Sequence, residues 1–303
     1  MLELLKKTNI DFIGKKYITL LVTGTLSIIG IVAIIQIAAG KANMGIDFAG
    51  GTELQLRFEK PINLQSIRSA LEAGGIKGFE LQDIPAESRV LIKTKRSEGD
   101  LTKIADSITS ALDQHLADNK YVVDATTAIG PKVGTKLRND AVKAIIMATV
   151  GILIYVAFRF KFQFGVGATV ATFHDVLAVL GIFYIMGKEI NLIVVSGLLT
   201  IAGYSLTDTV VVYDRIRENL KMQFREPLPN VINNSINEVL SRTIITSLTV
   251  FLAAAALFFL GGEVIHDFAF AMLVGIIVGT YSSIFVASPI LLLWKKNRPF
   301  DKK

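Results

Sequence analysis

The sequence contains no cysteine. Disulfides, thiolate zinc sites and cysteine nucleophiles are therefore all excluded. Histidine is nearly as scarce. The three present, His115, His174 and His266, are too scattered for a metal-ligand spacing, and no metal or other cofactor is expected. No nucleic-acid motif or basic stripe appears, so the net charge of +6 does not point to nucleic acid. The surplus lies in lysines and arginines that flank apolar runs, as membrane orientation requires.

Long apolar runs are what the chain has instead. Hydrophobic residues make up 51% of its 303 positions, with a mean hydropathy of +0.52. The charges fall mostly in other segments, a distribution that fits a membrane protein with one soluble insert. Six segments approach the ~20 residues that cross a bilayer: 17–39, 141–159, 164–187, 190–213, 239–261 and 267–294. They predict an α-helical polytopic membrane protein with six transmembrane helices. A signal peptide is the competing reading of the first. Its span, Tyr17 to Ala39, is too long for an h-region of ~7–15 residues. GKANMGIDF follows it, not a small-x-small cleavage site, so it reads as a retained helix.

Basic residues orient the spans. With the N-terminus (1–16) in the cytoplasm, the even-numbered connections hold Arg159 and Lys161, then Arg215, Arg217, Lys221 and Arg225. The tail, 295–303, adds Lys295, Lys296, Arg298, Lys302 and Lys303. The short outside loops, GKEIN and GGEVIHD, hold only Lys188. This bias obeys the positive-inside rule, and both termini are expected in the cytoplasm. The long segment 40–140, between the first and second helices, is then extracytoplasmic.

That insert reads as a folded domain. TELQLRF (52–58) alternates like a strand, and Leu64, Ile67 and Leu71 recur at helical spacing. GFELQDI (78–84) and SRVLIKTK (88–95) alternate again around a turn-like PAE. Leu101, Ile104, Ile108, Leu112 and Leu116 mark a second amphipathic helix, and KYVVDATTAI (120–129) a last strand. The order β-α-β-β-α-β predicts an α+β ferredoxin-like domain. No catalytic constellation is visible in it. In the cytoplasmic connection 214–238, Val231, Ile232, Ile236, Val239 and Leu240 form an apolar stripe. Either an interfacial helix or a plain helical hairpin would produce that stripe.

The spans also carry polar residues. Asp208 lies about 8 Å inside the fourth span at 1.5 Å per residue. A carboxylate near the centre of such a helix costs about 2.5–3.5 kcal/mol. Thr200, Tyr204 and Asp208 share one face at four-residue spacing. Arg242 stands in the second turn of the fifth span. It reads either as a snorkelling arginine or as the partner of Asp208, since antiparallel helices would set the two at similar depth. His174 and Asp175 lie mid-span in the third helix among small residues, as a packing contact or as a relay or gating group. An ionisable residue at depth is by default a functional-site hypothesis, and reversible protonation is the chemistry Asp208 offers. Gly45, Gly50 and Gly51 in GIDFAGG could set a rigid turn after the first helix. GIIVGTYSS holds a Gly-x-x-x-Gly packing signal.

Taken together, GIDFAGG, TFHDVL, GYSLTDTVVVYDRIREN, SRTIITSLTV and HDFAFAMLVGIIVGTYSSIFVASP stand in order on the expected spans. In this the chain closely resembles the SecF-type members of the SecD/SecF protein-export family, a branch of the resistance-nodulation-division superfamily. The resemblance implies a bacterial inner-membrane subunit, half of a twelve-span transporter, with no catalytic bond chemistry. It implies SecD as the partner half, with SecYEG and YajC nearby and translocating preproteins as clients. Protons crossing the membrane domain would drive the extracytoplasmic domains after the SecA ATPase step, with sodium open as the coupling ion. Asp208 and Arg242 match the family's essential carboxylate and arginine, and a further aspartate belongs to SecD. Two other classes remain open: a proton-coupled exporter of small molecules or lipids, and a passive scaffold whose charges are structural.

Overall fold

The computed structural model describes residues 8–84, 88–95, 101–116, 119–223 and 225–294. The PAE turn at 85–87 and the basic tail lie outside them. The chain divides into two compact units, one of 44–142 with 189–192, the other of 1–43, 143–188 and 193–303.

The first unit is a four-stranded sheet with two helices. Its elements follow the expected order: β1 (Gly51–Phe58), α3 (Leu64–Ala73), β2 (Phe79–Ile84), β3 (Arg89–Lys95), α4 (Leu101–His115) and β4 (Tyr121–Ile129), preceded by a one-turn helix α2 (Ile46–Ala49). The strands lie in the order β2-β3-β1-β4, and every pair is antiparallel. Side chains alternate across a strand, so Leu54, Leu56 and Phe58 of β1 share one face. Leu54 stands opposite Ile92 and Leu56 opposite Val90 of β3. Ile67 and Leu71 of α3 and Ile108 and Leu112 of α4 pack with them, all fully buried. Each such side chain contributes about 1.5–3 kcal/mol on burial. Asn63 caps α3 by accepting a bond from the Gln65 amide at 2.9 Å, which satisfies one of the first-turn donors.

The GIDFAGG stretch forms α2 and the turn into β1. Gly50 and Gly51 adopt φ of +76° and +152°, a region that favours glycine. A Cβ on Gly51 would stand 2.1 Å from the Thr94 carbonyl oxygen. Gly45 has ordinary φ, but a Cβ there would come within 2.8 Å of Asn191 Cβ and Glu189 Oε1. The three glycines of the expected turn thus serve two needs, backbone conformation and close approach.

Among the described residues, six helices are long and apolar enough to span a membrane. They are α1 (Lys16–Ala38), α5 (Pro131–Arg159), α6 (Phe162–Ile185), α7 (Leu192–Met222), α8 (Leu228–Leu260) and the run that begins with α9 (Glu263–Ser282). That run continues through a π-helical turn (Ser283–Ala287), a short α turn (Ser288–Ile290) and a 3-10 turn (Leu291–Trp294). The most apolar windows of α6 and α9 are 72% and 61% buried, against 11% for α1 and α5 and 17% for α8. Hence α6, α9 and part of α7 form the inside of this unit, and the other helices expose apolar side chains.

Several helices outrun their apolar segments. Pro131, suited to the first helical turn, starts α5 ten residues before the expected 141. The expected loop 214–238 is mostly helix, because α7 runs to Met222 and α8 starts at Leu228. Hydropathy cannot see a charged helical extension, whereas local pairing can hold it. Arg215 bonds Glu218 and Glu238, and Asn219 donates to Ser235 at 3.0 Å and to Glu238 at 2.7 Å. Ile232, Ile236 and Leu240 are buried in the core of this unit with Val212, Tyr213 and Ile216. The connection is therefore a packed helical hairpin, not an interfacial helix, since its apolar stripe meets protein.

Candidate functional site

Small residues let the inner helices come close enough for polar side chains to meet. Gly275 and Gly279 of α9, the Gly-x-x-x-Gly pair, face α7. A Cβ on Gly279 would lie 2.9 Å from Ser205 Cβ, and one on Gly275 would lie 2.2 Å from Ile201 Cδ1. On α1 and α6, a Cβ on Gly30 would stand 2.3 Å from the Leu177 carbonyl oxygen. Such approach is the packing that apolar solvent favours, because helices there gain from contact and not from hydrophobic expulsion.

Asp175 of α6 is fully buried. Its Oδ2 accepts bonds from Ser205 Oγ of α7 at 2.6 Å and from Ser282 Oγ of α9 at 2.9 Å. Its Oδ1 meets His174 Nδ1 at 3.3 Å. Three helices thus converge on one carboxylate. His174 is buried too, with Nε2 unbonded among the described residues and its ring 6.3 Å from that of Tyr281. Next to this cluster the α9 ladder loosens into its π turn. Ser283 Oγ and Thr209 Oγ1 lie 2.9 Å apart, Ser288 Oγ donates to the Ser283 carbonyl at 2.9 Å, and Tyr213 Oη donates to the Ala287 carbonyl at 3.0 Å. Pro289 follows; it lacks an amide hydrogen and disfavours the carbonyl four residues earlier. Hydroxyls from α7 and α9 take up what the ladder releases.

Asp208 of α7 is buried at 4% exposure. Ser247 Oγ of α8 donates to its Oδ2 at 3.1 Å, and Thr246 Oγ1 reaches its Oδ1 at 3.4 Å. Thr280 Oγ1 of α9 donates in turn to Ser247 Oγ at 2.8 Å. These are neutral hydroxyls. Among the described residues, no hydrogen bond or ion pair joins Arg242 to Asp208, and Arg242 stands exposed on α8. The direct ion pair that the antiparallel helices suggested is thus replaced by a hydroxyl shell with the guanidinium beyond it. Tyr204 Oη is buried without a bonded partner among the described residues. Thr200 turns to its own helix, donating to the Ser196 carbonyl at 2.8 Å, and is exposed. It does not join the carboxylate. The face of α7 and α8 around Asp208, with Thr200, Arg242 and Thr246, stays open in this chain.

Sequence reading passed over Ser205, Ser247, Thr280 and Ser282. Their signal was weak: small hydroxyl residues in apolar helices satisfy their own backbone by default. Only two cues existed, namely Ser205 one turn before Asp208 and Ser282 just after Gly279. No group of three or more histidine, aspartate or glutamate side chains gathers as a metal site among the described residues.

Residues 108–297 match the family described as Protein export membrane protein SecD/SecF, C-terminal, and residues 40–62 match the SecD/SecF GG Motif. The chain belongs to the SecD/SecF family. Within the family, Protein translocase subunit SecF of Thermodesulfovibrio yellowstonii is 59% identical over 299 residues, 98% of either chain. The SecF of Endomicrobium trichonymphae is 41% identical over 291 residues, 96% of this chain and 93% of that one. The crystal structure of SecDF, a translocon-associated membrane protein from Thermus thermophilus, superposes with a TM-score of 0.81 at 38% identity. It is matched by 96% of this chain, which spans only 39% of its length. The GG Motif match includes Gly45, Gly50 and Gly51, and the C-terminal family match includes both carboxylates, Arg242 and the π turn.

Proposed function

We propose that this chain is the SecF-type subunit of a bacterial protein-export complex, a multi-pass protein of the plasma membrane. It works with a SecD-type half, beside the SecYEG channel and YajC, on translocating preproteins. Similarity to SecF proteins over nearly the whole chain supports the export role. In this reading both termini are cytoplasmic, and 40–140 is a ferredoxin-like domain on the outer side, in keeping with its βαββαβ order. The complex draws on the proton-motive force, worth about 2.3 kcal/mol per charge per 100 mV.

One observation carries the coupling role. Asp208 is a buried carboxylate held by hydroxyls of α8, one of them bonded in turn by Thr280 of α9, and it stands beside a polar face that is open in this chain. A group that gains and loses a proton must reach a donor and must also move its neighbours when it changes. Asp208 meets both needs if the partner half closes that face. Arg242 then supplies a positive charge on the neighbouring helix, and Tyr204 a hydroxyl one turn away on α7 that has no bonded partner among the described residues. Asp175, bonded on three sides, ties α6, α7 and α9 together in this reading.

The test is Asp208→Asn in the assembled complex. Export that depends on the proton gradient should fall to background with assembly intact. A passive scaffold predicts unchanged export, and a small-molecule or lipid exporter predicts a defect in efflux with export normal. Replacing the proton gradient with a sodium gradient identifies the coupling ion.

A further inference from the structure

The turn between α5 and α6 reads FRFKF over 158–162. Helix α5 ends at Arg159 and α6 begins at Phe162, and both are long and apolar enough to span a membrane. The turn therefore lies where two spans reach water. Its aromatic residues divide sharply. Phe158 is 93% exposed and Phe162 65%, whereas Phe160 packs against the core of this unit. Phe158 is the most exposed large apolar side chain among the described residues. Exposed phenyl rings at such a boundary bury into the zone where headgroups meet acyl chains.

Phe160 gathers charge. Its ring lies 5.6 Å from that of Phe164 and 6.2 Å from that of Tyr213, and those two stand 4.9 Å apart. Phe164 and Tyr213 are fully buried, so the core holds the ring in place. Two guanidinium groups meet it, Arg159 at 5.0 Å from the centroid and Arg217 of α7 at 5.8 Å. The ring quadrupole attracts each of them. Arg217, far away in sequence, is thereby brought to the turn, where Lys161 is also exposed. Asp214 of α7 is the one carboxylate that pairs with either arginine among the described residues. It meets Arg159 at 3.5 Å, and both side chains are nearly half exposed. Such a pair holds weakly, and two guanidinium groups against one carboxylate leave positive charge.

We infer that Arg159 and Arg217 form a binding site for the headgroup phosphate of an anionic phospholipid, with Phe158 and Phe162 lying along its acyl chains. A guanidinium presents a planar fork of donors that matches phosphate oxygens. A basic site at the end of a span favours an anionic headgroup over a neutral one. The exposed rings decide for a lipid over a soluble anion, because inorganic phosphate gains nothing from them. The inference rests on the multi-pass membrane placement proposed above and is independent of proton coupling.

The experiment uses the full chain assembled with its partner half in nonionic detergent. It is titrated with phosphatidylglycerol, phosphatidylcholine or inorganic phosphate. Native mass spectrometry counts bound lipid, and the melting temperature reports on the fold. Phosphatidylglycerol should bind about fivefold tighter than phosphatidylcholine or better, the factor expected of a basic residue near an anionic surface. Inorganic phosphate should not displace it. Arg159→Gln with Arg217→Gln should abolish the preference while the lipid-free melting temperature holds. Arg159→Lys with Arg217→Lys keeps the charge and loses the fork, and should retain only part of the preference. Phe158→Ala with Phe162→Ala should weaken both lipids alike. A glutamine variant whose preference stays within about twofold of wild type overturns the inference. If that variant unfolds, the lysine variant decides, and full wild-type preference in it overturns the fork. Displacement by inorganic phosphate marks a soluble-anion site and overturns the lipid. A preference present in the chain alone and lost on assembly marks a contact with the partner half and overturns it too. If the complex inserts into vesicles yet shows no lipid preference, the inference fails and the membrane placement stands.

Discussion

Asp175 and Asp208 are both carboxylates inside apolar helices, yet they are solvated in different ways. Asp175 receives Ser205, Ser282 and His174 from within the chain, and no part of it is accessible. Asp208 receives two longer bonds from α8, and the surface beside it is polar and open. A fully bonded buried carboxylate holds structure together, because any change leaves donors unmet. One with a looser shell at an open edge can change state at lower cost. The difference teaches that two carboxylates in apolar helices need not be solvated alike, and that the completeness of the donor shell is what separates them.

The largest effect expected is functional. Asp208→Asn should lower gradient-dependent export by about a hundredfold, the low end of what a positioned proton-exchanging group contributes. Its melting temperature in detergent should stay near that of wild type. The comparison breaks if the melting point collapses and export survives. Asp175→Ala should do the reverse, costing about 3–5 kcal/mol, as expected when one partner of a buried polar set is removed. Asp175→Asn, which keeps the shape and an acceptor, should recover most of that stability and retain export. Thermal unfolding and export measured on both variants decide it.

Gly279→Ala sharpens the same contrast. Its methyl group would press on Ser205, 2.9 Å away, and so on the donor that serves Asp175. A loss of about 1–3 kcal/mol is expected from overpacking, whereas Gly203→Ala, with nothing within 4 Å, should lose less. The smallest effect concerns a third kind of carboxylate, Glu189, which is neutralised by a cation. Burial, the largest influence on Lys93, pulls its pKa down, but Glu189 and Glu53 together carry it above the usual lysine value of 10.5. Burial and Asp113 likewise push Tyr121 above its usual 10.0. Both groups hold their protons more tightly when folded. Their stabilisation is complete below those ordinary values and is lost as pH rises through the folded ones. The sheet unit should therefore melt a few degrees lower above about pH 10, followed by the amide band of its strands. Glu53 is also raised, first by burial and then by Glu189 and Asp47 against the pull of Lys93. Its contribution is greatest below 4.5 and fades as pH rises through the raised value. A flat profile above pH 10 would remove the ionic cluster from the comparison.

Much of the fold was legible because it rests on periodicity. The strands alternate, α3 and α4 repeat at helical spacing, and six apolar runs are long enough to span a membrane. What hydropathy could not reach was the charged continuation of α5, α7 and α8, where helices persist on ion pairs, side-chain hydrogen bonds and packing. Asp208 and Asp175 were legible as candidates because a carboxylate in an apolar run is costly. Their shells were not, because a serine or threonine in a helix gives the same sequence signal whether it bonds its own backbone or a neighbour.

The sequence by itself determined the elements, the cost of each buried charge and, through its motifs, the family. Only the tertiary structure decided which charges meet. It gave Asp208 hydroxyls in place of Arg242 and enclosed Asp175 between three helices. The physical reason is range. Periodicity and burial act over one or two turns and are written locally, whereas a hydrogen bond requires atoms about 3 Å apart, and around Asp175 that closeness comes with the glycines of α9 that face α7.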